Sequence, residues 1–104
     1  DVWYCWTAPC TNEVLVGSCG NTTVDTKIAV YDGCACPPTD AGLLDCDDDR
    51  CGAAQSMAVF HAVAGRSYLI RLGNYPGSAP GTGAITISCG PPNNAACTNA
   101  AGSC

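Results

Sequence analysis

Charge is scarce in this sequence, and positive charge is the scarcest. Charged side chains make up 12% of the 104 residues, and only four of them are basic, so that the net charge is -5. Nucleic acids and anionic lipid surfaces are bound mainly by clusters of lysine and arginine. The sequence therefore excludes nucleic acid as a partner. Small neutral residues must cover the surface instead, which allows copies of the chain to pack closely.

Long apolar runs and catalytic side chains are lacking as well. No stretch of 18 or more apolar residues occurs, so the sequence predicts no membrane span. His61 is the only histidine, and a nucleophile pair or a metal site would have to use it alone. We interpret His61 as structural and expect that the chain is not an enzyme.

Cysteine, in contrast, is abundant. The ten cysteines are Cys5, Cys10, Cys19, Cys34, Cys36, Cys46, Cys51, Cys89, Cys97 and Cys104. This density is typical of disulfide-stabilised domains and rare in reducing compartments. We therefore expect an extracellular protein, secreted or at the cell surface, and a start at Asp1 fits a mature chain whose signal peptide has been removed.

Short alternating segments separated by Gly and Pro predict an all-β domain. Six strands are expected, at Asp1 to Pro9, Glu13 to Cys19, Asp25 to Asp32, Ser56 to Val63, Arg66 to Gly73 and Ala84 to Cys89. The first has bulky side chains on both faces, so it is predicted to be a central strand that needs a neighbour on each edge. The pattern favours a disulfide-rich two-sheet β-sandwich of the jelly-roll kind, with little or no helix.

Three connections carry further predictions. Gly33 to Gln55 shows neither the periodicity of a helix nor that of a strand, so disulfides rather than packing should order it. Ala64 and Gly65 suggest a short hairpin-like turn. Asn21-Thr22-Thr23 is a glycosylation sequon or a polar turn with that spacing by accident.

Four segments resemble the bacterial pre-peptidase C-terminal (PPC) domain family. They are Asp1 to Pro9 (Asp-Val-Trp-Tyr-Cys-Trp-Thr-Ala-Pro), Val24 to Gly33, Ala64 to Gly73 and Gly83 to Cys89. The resemblance covers residues 1–89 and implies a β-sandwich domain over that range. Members are modules appended to secreted proteases and other exported bacterial proteins, and related collagen-binding domains use calcium. The resemblance thus implies a non-catalytic accessory, adhesive or structural role.

The ends depart from the family pattern. The most similar members carry a leader of the type Asn-Asp-x-Cys-x-x-Ala, a strand and a Cys-Gly turn ahead of the first strand of this sequence. A similar beginning, Asn93 to Ala100 with Asn94 and Cys97, follows the domain instead, behind the stiff spacer Gly90-Pro91-Pro92. We therefore interpret residues 90–104 as a C-terminal extension that completes the next copy as a donor strand, or as a linker in a tandem array.

Strand addition of this kind is head-to-tail and builds a filament when its rotation does not close. Asn93 and Asn94 would lie at the joint between subunits, and Cys97 and Cys104 could lock it covalently, with Cys5 as a candidate acceptor. Two alternatives remain. The tail could fold back and pair its cysteines within its own domain, or the chain could be a fragment of a larger protein.

The acidic segment from Asp45 to Cys51 is a candidate calcium site. Asp45, Asp47 and Asp49 alternate like the first three ligands of a calcium-binding loop, but Arg50 stands where that loop needs glycine. The alternative is a solvated acidic turn. Calcium is the one cofactor that the sequence suggests.

The four cysteines of the long connection are expected to form disulfides rather than a zinc site, because their spacing is not the Cys-x-x-Cys of zinc sites. Local pairing among Cys34, Cys36, Cys46 and Cys51 would hold the long connection. Cys10 could pair with Cys19 across the first turn.

The sequence thus predicts a subunit or repeat of an extracellular, disulfide-stabilised filament whose partner is another copy of itself. The alternative is a carbohydrate- or protein-binding module of a secreted hydrolase, which could depend on calcium. For that role the aromatic residues could stack on a sugar, and Tyr75 in the Gly/Pro loop is the one expected to contact a ligand.

Overall fold

The computed structural model describes residues 1–52, 54–74, 76–79 and 81–89. These residues form seven strands and one 3-10 helix. The strands are β1 (Val2–Thr7), β2 (Asn12–Gly17), β3 (Thr26–Asp32), β4 (Leu43–Asp47), β5 (Met57–Ala62), β6 (Ser67–Asn74) and β7 (Thr86–Cys89), and the helix is Asp40–Gly42. The prediction of an all-β, disulfide-rich sandwich with little or no helix is confirmed. No helix in the described ranges is long and apolar enough to cross a membrane.

The strands form two antiparallel sheets. The larger sheet has the order β1-β6-β3-β4, and the smaller sheet has the order β5-β2-β7. Every strand of the smaller sheet therefore faces a four-stranded sheet that is one strand wider. This difference in width determines where the sandwich is open.

The core lies between the sheets and follows from the period of two in each strand. In β3, Ile28 and Val30 point inward, and in β2 Val14 and Val16 do the same; all four are fully buried. An aromatic cluster fills one end, where the ring of Phe60 lies 5.0 Å from that of Tyr68 and 6.2 Å from that of Trp6. Burying each of these rings contributes roughly 1.5 to 3 kcal/mol.

The prediction that the first strand is central is wrong. β1 pairs with β6 along one edge, and no other described strand pairs with its second edge. Its outward side chains are bulky because they contact local partners instead of a further layer. The Arg71 guanidinium stacks on the Trp3 ring, with its central carbon 5.1 Å from the ring centre. Cys5 forms a disulfide.

Two predicted connections also differ from the structure. The segment 33–55 is not ordered by disulfides alone, since it contains the helix and β4, which pairs with β3. The turn at Ala64 and Gly65 is not a hairpin, because β5 and β6 belong to different sheets. Gly65, with φ +87°, lets the chain reverse there and cross between the sheets.

The C-terminal segment 90–104 lies outside the described residues. The predictions for Asn93, Asn94, Cys97 and Cys104, and the boundary between the domain and its extension, therefore stay predictions.

Candidate functional site

The side of the sandwich that holds β1 and β7 is open. β1 is an edge strand of the larger sheet and β7 is an edge strand of the smaller one, and within the described ranges neither has a second neighbour. An unpaired strand edge presents backbone N–H and C=O groups that another strand can bind. Both edges on this side are therefore capable of accepting a strand.

Inward-facing side chains of β1 are left uncovered on this side. Val2 and Tyr4 stand opposite Leu72 and Ile70 of β6, so they point toward the smaller sheet, as the buried Ile70 does. Yet Val2 is 49% exposed and Tyr4 is 42% exposed. Apolar side chains on the inner face of a sandwich are normally covered by the facing sheet. Among the described residues, the facing sheet ends before it reaches them.

A groove of about 380 Å³ marks the place where that cover is missing. Its apolar lining includes Val2, Tyr4, Val24, Leu72 and Ile85. The far wall is the segment before β7, which approaches the segment before β3 so closely that a Cβ on Gly83 would lie 2.3 Å from the Cβ of Thr22. Glycine is required there, and the close approach holds that wall of the groove in place.

The opposite side of the sandwich is closed by carboxylates. The backbone N–H of Val59 donates to Asp45 Oδ2 (2.8 Å), and the N–H of Met57 donates to Asp47 Oδ2 (2.9 Å). Two side chains that alternate along β4 thus cap the edge of β5. Such capping protects an edge strand from further pairing.

Asp45 and Asp47 are both engaged by other groups of the protein, and the calcium role predicted for them stays a prediction. Besides the β5 edge, Asp45 accepts a hydrogen bond from Arg50 Nη1 (3.2 Å), and Asp47 accepts one from the Arg50 backbone N–H (2.8 Å). Asp47 is fully buried and its second oxygen lies 3.8 Å from Arg50 Nε. Arg50 stands at the predicted glycine position because it neutralises these two carboxylates.

Asp49 belongs to a different group, together with Asp25 and Asp48. One carboxylate oxygen of each lies within 4.8 Å of the others. Buried oxygens of Asp25 and Asp48 have no hydrogen-bond partner among the described residues. Three carboxylates supply part of the six to eight oxygens that Ca²⁺ takes. If the chain binds calcium, this group fits the ion better than the predicted one.

Burial and the neighbouring charges of Asp49 and Asp25 raise the pKa of Asp48 above its ordinary value of 3.8. Protonated Asp48 therefore stabilises the fold, and this stabilisation is lost as the pH rises through the raised pKa. We expect Asp48→Asn to increase the melting temperature at pH 7 in the absence of divalent ions, and the increase to vanish below pH 3.8.

Thermal unfolding at several pH values would measure the effect, with Asp40→Asn in the exposed 3-10 helix as the matched control. A lower melting temperature for Asp48→Asn at pH 7 would contradict the prediction. Added calcium provides a second comparison. If the group binds the ion, calcium stabilises the wild-type chain and stabilises Asp48→Asn less.

The disulfides connect distant parts of the chain rather than neighbours. Three pairs are present in the described ranges, namely Cys5–Cys34, Cys10–Cys89 and Cys19–Cys51. The predicted pairing of Cys10 with Cys19 is wrong, and so is local pairing of Cys34 and Cys51 within the long connection. Cys46 also has a partner. Each bridge joins segments that the fold brings together, with Cα atoms 5.6 to 6.4 Å apart.

These pairs change the candidates for a covalent link between subunits. Cys5 is bound to Cys34, so it is not available as the predicted acceptor. Cys36 is exposed and is the one free cysteine among the described residues. It stands two positions after Cys34, which places it within about 8 Å of that residue. The free thiol therefore follows closely after the bridge that ties this segment to β1.

A second concavity, of about 500 Å³, lies on the outer face of the larger sheet. Its lining includes Lys27, Ala29, Tyr31, Asp40, Leu43 and Arg71. The Arg71 side chain is held in place by Asp1, whose Oδ2 accepts a hydrogen bond from Nε (2.7 Å). An aromatic ring with charged groups around it can hold a polar ring-shaped ligand. Tyr75, which was expected to contact a ligand, lies outside the described residues.

His61 lies exposed on the outer face of β5, opposite Glu13 of β2.

No protein-family model, no curated protein and no solved structure matches the chain. The functional argument therefore depends on the geometry of the molecule itself.

Proposed function

We propose that this chain is an extracellular structural subunit that assembles head to tail into a disulfide-stabilised filament, in which residues 90–104 of one copy bridge to the next. The single observation that carries the proposal is the open side of the sandwich, where two strand edges and two inward-facing apolar side chains, Val2 and Tyr4, are uncovered together. The resemblance of segment 93–100 to a family leader supports it independently.

The contrast between the two sides of the molecule supports assembly on one side only. On the closed side the edge of β5 is capped by Asp45 and Asp47. On the open side no charged or proline residue of β1 or β7 blocks pairing. Proteins usually protect exposed edges against addition of a further strand. A chain that caps β5 with carboxylates and leaves both β1 and β7 uncapped is suited to strand addition on the open side.

Electron microscopy of native, unreduced material tests this function, together with the intact mass of the reduced chain. Filaments whose reduced mass is near 10.5 kDa support subunit assembly. Filaments of much larger mass would mean a tandem array in one polypeptide. Material that stays monomeric at all concentrations would overturn the proposal.

The covalent link is proposed to run from Cys36 of one copy to Cys104 of the next, because Cys104 lies beyond the segment that is proposed to pair as a strand. Two thiols lose their hydrogens to form the disulfide, and a small-molecule disulfide accepts the two electrons and two protons and becomes two thiols. Cys36 replaces Cys5 in this role because it is free and exposed.

We expect Cys36→Ser to abolish the ladder of oligomers on a non-reducing denaturing gel while filaments remain visible by electron microscopy. Cys104→Ser should give the same result, because either change removes one end of the same bond. A ladder that persists in both variants would show that the copies are linked elsewhere.

A binding module is the second candidate, and the outer-face concavity is the observation that favours it. Tyr31 with the charged groups around it would suit a carbohydrate. In that case the chain would migrate more slowly on a native gel that contains the polysaccharide, and Tyr31→Ala would remove the retardation. Leu44→Ala, on the same sheet but outside the concavity, is the matched control.

A further inference from the structure

The widths of the two sheets show which strand the sandwich lacks. The larger sheet has four strands and the smaller has three among the described residues. β4 and β5 are joined at the closed side by Asp45 and Asp47, so the sheets are aligned there and the shortfall falls entirely on the open side. The position without a strand lies next to β7 and across from β1.

A strand at this position would cover the groove, whereas a strand on the edge of β1 would not. Val2 and Tyr4 point toward the smaller sheet. A fifth strand added to β1 would extend the larger sheet and leave these side chains exposed. A fourth strand added to β7 would lie about 10 Å across from β1 and pack against both of them.

We infer that the acceptor site of this protein is the free edge of β7 together with the groove under Val2 and Tyr4, and that it takes an extended strand from residues 93–101 of a second copy. This inference rests on the proposed function and names the site at which the copies join. It identifies β7, rather than the longer edge of β1, as the strand that pairs.

The composition of the donor segment suits the groove. Asn94, Ala96, Thr98 and Ala100 share one face of an extended strand, and Cys97 lies on the other. Small side chains can enter a groove whose far wall is held by the close approach of Gly83 to Thr22. The 15 residues from Gly90 to Cys104 can extend over about 50 Å, more than twice the roughly 20 Å of β1.

The spacer between β7 and this segment favours a second copy as the donor. β7 ends at Cys89, and a chain that filled its own groove would have to reverse at once to pair with its own β7. Pro91 and Pro92 follow, and a residue before proline is restricted to extended conformations. The spacer therefore disfavours a reversal immediately after Cys89.

Hydrogen exchange of the full-length chain before and after assembly tests the site. We expect the free-edge amides of Thr86–Cys89 to exchange about tenfold or more slowly in filaments, because each new hydrogen bond must open before exchange. Free-edge amides of Val2–Thr7 should keep their rates. Protection of β1 instead of β7 in filaments would overturn the inference and leave the proposed function standing.

Charge placed in the groove provides the second test. Tyr4→Lys puts an ammonium group under the incoming strand but leaves it in water in the single subunit, since Tyr4 is 42% exposed. We expect filaments to be lost. Leu44→Lys, at 44% exposure on the opposite edge strand of the same sheet, is the matched control and should assemble normally.

The remaining outcomes are distinct. Filaments that form normally from Tyr4→Lys would overturn the site. Protected β7 amides in a chain that remains monomeric would mean that the chain fills its own groove, which overturns the second copy as donor. A wild-type chain that neither assembles nor protects β7 would overturn the proposed function itself.

Discussion

Replacing Cys10 and Cys89 together with serine is expected to lower the free energy of unfolding by about 4 to 5 kcal/mol. The bridge joins residues 79 positions apart, and the chain-entropy model gives about 4.5 kcal/mol for a loop of that length. It also anchors β7, a strand of four residues at the edge of the smaller sheet. Chemical denaturation of the unreduced protein, followed by circular dichroism, would measure the loss.

The matched control is the double serine variant at Cys19 and Cys51. That bridge spans 32 positions, for which the same model gives about 3.7 kcal/mol. The Cys10–Cys89 variant should therefore be the less stable of the two. The reverse order would show that local packing around each bridge, rather than restriction of the unfolded chain, determines its contribution.

The pairing of these cysteines could not be predicted from sequence, for a simple physical reason. A disulfide forms where the fold brings two Cα atoms within about 7 Å, and sequence distance does not report that proximity. Cys10 follows the first strand and Cys89 ends the last one. Their contact exists only because β7 lies beside β2.

Strands with apolar inward positions were predictable, and the strand with polar inward positions was not. Alternation identified β3 almost to the residue, because its inward Ile28 and Val30 contrast with outward Lys27 and Ala29. β4 was missed because its inward positions are Asp45 and Asp47. Carboxylates occupy them because that face meets the backbone N–H groups of β5 rather than the core.

The position of β1 in its sheet was mispredicted because bulk on both faces was taken as burial on both faces. Its outward-facing Trp3 and Cys5 form a cation–π contact and a disulfide. Its inward-facing Val2 and Tyr4 remain uncovered. The requirement for a second neighbour was nevertheless a useful prediction. The described residues supply no such neighbour, and the free edge of β1 lies on the open side of the sandwich, where the candidate site is.

Asp47→Ala is expected to lower the free energy of unfolding by about 3 to 5 kcal/mol, the usual cost of breaking a buried ion pair by removing one partner. Asp47 is fully buried and faces the Arg50 guanidinium. It accepts hydrogen bonds from the backbone N–H groups of Met57 and Arg50. Without it, two donors and part of a positive charge lose their acceptor in a buried place.

Thermal and denaturant unfolding of Asp47→Ala, with and without calcium, would distinguish a role of Asp47 in capping the edge of β5 from a role as a metal ligand. Asp40→Ala is the matched control, because Asp40 is exposed and lies outside the carboxylate group of Asp25, Asp48 and Asp49. If Asp47 caps the edge of β5, the loss is the same at every calcium concentration and the control loses little. A loss for Asp47→Ala that appears only when calcium is present would instead make it a metal ligand. The closed side of the sandwich would then depend on the ion rather than on Arg50, and the contrast between the capped and the open edge would hold only in calcium.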